Sequence, residues 1–152
     1  MSYWKTVREF GTRPETKGRI VRPSAYAFIL NGAGQVAVVR SSDGTFLPGG
    51  GIEGGETPEA AVMREALEEC GLRIRVGDCV NRAVQIVDSE SYETYVEKRC
   101  YFFDAEIERE LPGQAEPGHE TLWVEPESVD RFLSHESQAW AVHDWKSRIT
   151  GR

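Results

Sequence analysis

The segment from Thr57 to Gly71 admits one regular structure. Thr57 is a good N-cap, Pro58 sits where the first helical position tolerates a missing N–H, and Gly71 falls where a glycine ends a helix. Between them EAAVMREALEE is built of good helix formers, so a helix over 58–70 is expected. Its charges work against it. Glu65 precedes Glu68 by three positions and Glu69 by four, which places three carboxylates on one face to repel one another. Glu68 and Glu69 also lie in the last turn, where the helix dipole disfavours an anion by roughly 0.3–1 kcal/mol. Such a broken local rule, without visible compensation in the sequence, points to function. A hard divalent cation, Mg²⁺ or Mn²⁺, would supply the compensation. The glycines at 49–51 and 54–55 allow a tight backbone path beside a metal or a phosphate.

Residues 50–72, GGIEGGETPEAAVMREALEECGL, resemble the signature of the Nudix hydrolase family, G-x5-E-x7-R-E-U-x-E-E-x-G-U with U a bulky aliphatic residue. Gly50, Glu56, Arg64, Glu65, Glu68, Glu69, Gly71 and Leu72 fill their places without a gap. Ala66 is a small residue in the first aliphatic slot. The resemblance implies an α/β fold, a Nudix-type α/β/α sandwich with a mixed central sheet, in which this segment forms a loop–helix–loop. It also implies Mg²⁺-dependent hydrolysis of a diphosphate bond in a nucleoside diphosphate derivative, with Mn²⁺ as an alternative ion. Two other readings stay open: a catalytically idle ligand sensor on the same fold, and an isoprenyl diphosphate isomerase, a branch whose signature is degenerate where this one is intact.

The same resemblance assigns roles. Glu65, Glu68 and Glu69 match the metal ligands, with the backbone carbonyl of Gly49 as a further one. Arg64 is similar to the arginine that holds the signature glutamates by ion pairing, and Glu56 looks like its partner. The general base is open between Glu68, inside the signature, and a carboxylate outside it. Glu120, which precedes the strand-like Thr121-Leu122-Trp123-Val124, is the leading outside residue and joins the metal-side set; Glu116 and Glu97 are alternatives. His119 is weighed as an acid or base and read as a solvated loop residue, and His135 and His143 as structural or surface residues. Arg40 and Arg22 are the expected contacts to substrate phosphate, with Arg19 beside Arg22, and Phe46 is a candidate pocket wall. The substrate is expected to be a small phosphorylated molecule, a nucleotide. No proline occurs between Arg73 and Asp104, where ADP-ribose-hydrolysing members carry one; this weakly favours a nucleoside triphosphate or dinucleoside polyphosphate.

Charge and composition bound these readings. The 152 residues suit a single domain over 1–152, and the net charge of −7 argues against a nucleic-acid polymer as partner. Residues 1–22 hold six cations against Glu9 and Glu15, a net of +4, which leaves −11 for the rest. An anionic substrate must therefore find its attraction in metal and a few local cations. No apolar run suggests a membrane span, and the first residues lack the apolar region of a secretory signal. Cys70, Cys79 and Cys100 are odd in number and widely spaced, which suits reduced thiols in a cytoplasmic protein. Related proteins are often homodimers.

Along the chain, 21–30 and 35–40 read as strands joined in a hairpin across Asn31-Gly32-Ala33-Gly34. Residues 72–87 and 92–107 read as a second antiparallel pair, and 121–124 as a short strand. Helices are expected over 126–133 and 136–149. Val62, Met63, Ala66 and Leu67 form the expected core side of the signature helix, and Trp140 and Trp145 the anchors of the last one.

Overall fold

A computed structural model describes residues 3–150. Its strands are β1 (Arg8–Phe10), β2 (Gly18–Ile29), β3 (Val36–Ser41), β4 (Gly44–Phe46), β5 (Gly49–Gly51), β6 (Leu72–Val87), β7 (Thr94–Glu110) and β8 (Glu120–Val124), and its helices α1 (Pro58–Cys70) and α2 (Glu136–Thr150). The main sheet is mixed, in the order β1-β6-β7-β2-β5, and a smaller antiparallel sheet has the order β4-β3-β8. No helix is long and apolar enough to cross a membrane among the described residues.

β2 is the dividing strand. Its alternation sends Tyr26 and Phe28 to one face, where Phe102, Val142 and Trp145 of α2's side complete a core. Trp145 stacks on Phe28 with centroids 4.8 Å apart. Ala25, Ala27 and Ile29 face the other way, against Ala61, Val62 and Ala66 of α1. The alanines on both partners let helix and sheet approach closely, so α1 is set flat over the middle of β2. Met63 departs from the expected core side: it is 44% exposed, whereas Ala61 is buried.

β6 and β7 form the expected antiparallel pair, with register shifts between Arg73 and Ile74 and between Val76 and Asn81. The expected hairpin of β2 and β3 does not form a ladder. Only the bridge Leu30–Val36 joins them. Both edges of β2 are already taken, by β7 in parallel and by β5 antiparallel over Ser24–Tyr26. The Asn31 side chain accepts from the N–H groups of Ala33 and Gln35, closing a turn that hands the chain to the second sheet. The segment expected as a helix over 126–133 is a six-residue 3-10 turn, Pro126–Arg131, too short to recover the cost of nucleating an α-helix.

Candidate active site

The site is built where β5 meets α1. Gly49 has φ 146°, and a Cβ there would stand 2.1 Å from the carbonyl oxygen of Ala25; the close pairing with β2 requires glycine. This places the Gly49 N–H against α1, where it donates to Glu69 Oε1 at 2.8 Å. Gly50 leaves room for the Glu65 carboxylate, which would lie 3.2 Å from a Cβ at that position. The helix begins as its residues dictate: Thr57 accepts from the Ala60 N–H at 3.0 Å. It ends at Gly71, whose φ is 64°.

The compensation for the repelling glutamates comes from within the helix. Arg64 Nε and Nη2 grip both oxygens of Glu56 at 2.8 and 3.0 Å. Its Nη1 donates to Glu65 at 2.9 Å and to Glu68 at 3.4 Å, and Nη2 reaches the Gly51 carbonyl at 3.3 Å. One guanidinium thus ties three carboxylates to the β5 backbone. The hydrogen bonds from Arg64, with a backbone one from Glu53, hold the Glu56 carboxyl down at about 2. Burial pushes Glu65 up despite its bond to Arg64. It pushes Glu69 further, to about 8, the Gly49 N–H notwithstanding, with the charges of Glu65 and Glu68 adding to the effect.

Two partly buried carboxylates are held above their ordinary range by burial, and the one guanidinium nearby does not offset it. A divalent ion with oxygen preference fits that deficit. The fit is to an open site: among the described residues no three Asp, Glu, His or Cys side chains converge into a metal-holding group. Mg²⁺ uses one or two carboxylates and completes its shell with water and substrate phosphate, a share that any two of Glu65, Glu68 and Glu69 could supply beside the glycine turn.

The other expected residues are dispersed. Arg40 and Glu120 are cross-strand neighbours on β3 and β8, and they form an ion pair with each other, both more than half exposed. Glu116, an alternative base, is exposed; its N–H donates to the Glu68 carbonyl at 2.7 Å, pinning the loop before β8 to the end of α1. His119 lies in that loop, partly buried. Glu97 is withdrawn from any such role: it is 2% exposed and bonded by Arg13, Arg19 and Arg99. Phe46 packs edge-on against His135, ring centroids 5.0 Å apart, while His143 pairs with Asp130.

Arg22 opens onto a cavity of about 630 Å³ whose lining includes Ile20, Tyr92, Val96 and Lys98. Lys98 escaped the sequence reading. Its ammonium donates to the Tyr26 hydroxyl at 3.3 Å and has no carboxylate within ion-pair distance among the described residues. Burial, with the like charge of Arg22 adding to it, pushes Lys98 below the usual lysine range. Tyr26 is level with Gly49 in the sheet, so Lys98 lies one aromatic ring from the signature turn. Burial and then Lys98 push the nearby His135 down to about 4, leaving it neutral. The signal for Lys98 was its place in β7, two and four residues before Cys100 and Phe102 on the strand face that packs into the core.

Comparison with known proteins agrees with this architecture. The chain matches 36% of 72 residues in a protein named RNA pyrophosphohydrolase from Roseobacter denitrificans (strain ATCC 33942 / OCh 114), over 44% of this chain and 45% of that one; it thus spans less than half the length of that relative. Among solved structures, a NUDIX hydrolase from Nitrosomonas europaea superposes with a TM-score of 0.69 at 16% identity, over 84% of this chain and 90% of that one. A C. elegans Ap4A hydrolase binary complex gives 0.65 at 15% identity, over 86% and 99%. At these identities the structures attest the fold alone. The model of the NUDIX domain matches residues 21–146, which is most of the chain, and the protein belongs to the NUDIX family.

Proposed function

We propose that this protein is a divalent-metal-dependent hydrolase of diphosphate bonds in nucleotide derivatives. The observation that carries the reading is the half-buried pair Glu65 and Glu69 set against Gly49–Gly51, with Arg64 tying the cluster to the same strand. Glu65, Glu68 and Glu69, with the Gly49 carbonyl, would hold Mg²⁺ or Mn²⁺. When bound, the ion neutralises charge on the diphosphate oxygens and activates water.

The chain's own residues do the rest. Arg64 keeps the glutamate side chains aimed at the turn. Glu120 takes the proton of the attacking water; the new P–O bond forms as the bridging P–O bond breaks, and the departing phosphate leaves with its electron pair. In the absence of substrate Glu120 is held by Arg40. A substrate phosphate competes for that guanidinium, and its arrival frees the carboxylate to act as base. Lys98 and Arg22 supply positive charge beyond Tyr26, where a chain of net charge −7 has most need of it. Phe46 and His135 wall the same side. The three free thiols support a reducing, cytoplasmic setting.

The test is phosphate or nucleotide release by the purified protein from about twenty phosphorylated metabolites, with Mg²⁺, Mn²⁺ or excess chelator. The panel includes nucleoside triphosphates, dinucleoside polyphosphates and, because of the name of the Roseobacter denitrificans relative, a 5′-triphosphorylated oligoribonucleotide. Tight binding without turnover throughout would favour an idle sensor.

A further inference from the structure

β2 and β7 run parallel, so Arg19, Val21 and Pro23 lie level with Tyr95, Glu97 and Arg99 on one face of the sheet. The N-terminal arm folds over this face. Its 3-10 turn brings Trp4 and Lys5, β1 brings Glu9, and the chain beyond brings Arg13; together they close a cavity of about 330 Å³. Glu97 sits beneath it, bonded by Arg99 Nε at 2.7 Å, Arg13 Nη2 at 2.8 Å and Arg19 Nη1 at 3.1 Å. Burial works to raise the Glu97 carboxyl, but the hydrogen bonds of Arg99 and Arg13 outweigh it and hold it below its ordinary range.

The charges around this cavity do not balance. Arg13 is engaged by Glu9 at 2.6 Å as well as by Glu97. Setting Glu9 and Glu97 against Arg13 and Arg99 leaves Arg19 and Lys5 uncompensated, in a chain whose net charge is −7. A guanidinium has five N–H donors. Arg19 spends one on Glu97, and its side chain is 49% exposed. Arg99 spends its Nε on the same carboxylate, and its guanidinium lies over the Trp4 ring at 6.0 Å. Lys5 is exposed and forms no ion pair among the described residues. Surplus planar donors, an ammonium and a space several times the volume of a water molecule are the makings of a phosphate site. None of the lining residues belongs to the carboxylate–arginine cluster of α1.

We propose that this cavity is a second, metal-independent anion site, in which the spare N–H groups of Arg19 and Arg99 and the ammonium of Lys5 bind a phosphate group. The site does not depend on the hydrolase reading.

Titration calorimetry in excess chelator tests it, because without metal the glutamate cluster is net negative, one arginine against three glutamates, and the substitutions below separate this cavity from the one beside Arg22 and Lys98. Two probes are used: inorganic pyrophosphate, a free anion, and adenosine monophosphate, a phosphate ester. Wild-type protein should bind at least one of them at one site per chain, more weakly as salt rises. The double variant Lys5→Gln/Arg19→Gln should weaken that binding by about 10- to 150-fold, the worth of a charge-assisted contact. Glu69→Gln should leave it unchanged. Preference for pyrophosphate assigns the site to a free anion, and preference for the ester to a nucleotide. Both substituted residues are exposed or half exposed, and Arg13 and Arg99 remain on Glu97. Should the double variant melt early, Lys5→Gln alone, which loses no ion pair, should still show part of the loss. No saturable binding of either probe, full affinity in the double variant, or equal loss in Glu69→Gln would overturn the proposal.

Discussion

Gly49→Ala should damage both the fold and the site, and the structure sets the size of the effect. The new methyl would lie 2.1 Å from the Ala25 carbonyl oxygen and 2.7 Å from the Tyr26 Cα. Both atoms belong to the backbone of β2, which is held by β7 along its whole length, so β2 cannot yield. β5 must move instead. Its three register pairs with Ser24, Ala25 and Tyr26 are then strained, and the Gly49 N–H leaves Glu69. Forcing alanine into a conformation with φ of 146° costs about 1–3 kcal/mol. Overpacking adds about 1–3, and an orphaned acceptor about 1–3. These terms overlap, and a net loss of about 3 kcal/mol is expected. For a domain of this size that lowers the melting temperature by roughly 6–12 °C. Gly51→Ala is the control: two residues along the same strand, its Cβ meets nothing within 4 Å, and it should cost under about 0.5 kcal/mol. Urea denaturation with unchanged m-values measures both. A loss below about 1 kcal/mol for Gly49→Ala, or equal losses for the two variants, would refute the argument that steric closeness to β2 is what fixes glycine here.

Four further outcomes follow from the site. Glu69→Gln should nearly abolish turnover yet hold or raise the melting temperature in chelator, since the amide oxygen can still accept from Gly49 and a poorly placed charge is gone; undiminished turnover, or full wild-type activity in chelator, contradicts this. Glu120→Gln should lower kcat by roughly 10²–10⁴-fold with a smaller change in KM; a variant within about threefold of wild type returns the base role to Glu68. Arg22→Ala and Lys98→Ala should each raise KM by about 10- to 150-fold at constant kcat if their contacts are equal in ground and transition states, which steady-state kinetics at saturating Mg²⁺ decides. His135, pushed from 6.5 to about 4 by burial, binds fewer protons folded than unfolded. Its neutral form therefore stabilises above pH 6.5, and stability falls as pH drops from there towards 4, by on the order of 1–2 kcal/mol after allowance for solvent exposure; melting curves of His135→Gln should be flatter across that window.

Local signals carried the sequence reading furthest. Thr57, Pro58 and Gly71 bracket α1 because caps act within one turn, and the pairing of β6 with β7 was legible because two β-rich runs flank one short polar turn. What failed was non-local. Nothing in 21–40 tells that β5 and β7 will occupy both edges of β2 and turn the expected hairpin into a crossing between sheets. Met63 was placed inward by its apolarity, although the face of α1 that meets β2 is the one carrying Ala61, Val62 and Ala66, and Met63 lies a further turn of about 100° round the helix from Val62. At the site, Arg40 and Glu120 were legible as charged residues near strand ends, but their pairing depends on the register of β3 with β8. Lys98 was hidden because a lysine in a long strand is ordinarily solvated, and only the fold brings it against Tyr26 and close to His135.

Arg64 makes the protein self-sufficient before any ion arrives. The guanidinium pairs with Glu56, Glu65 and Glu68 at once, one positive charge set against three, so part of their repulsion is relieved within the chain and the protein should stay folded when stripped of divalent cations. On the proposed reading, a cation would have to displace a tethered partner that never diffuses away. Such a partner would lower the apparent affinity for a free ion by a constant factor and leave the shape of the binding curve unchanged.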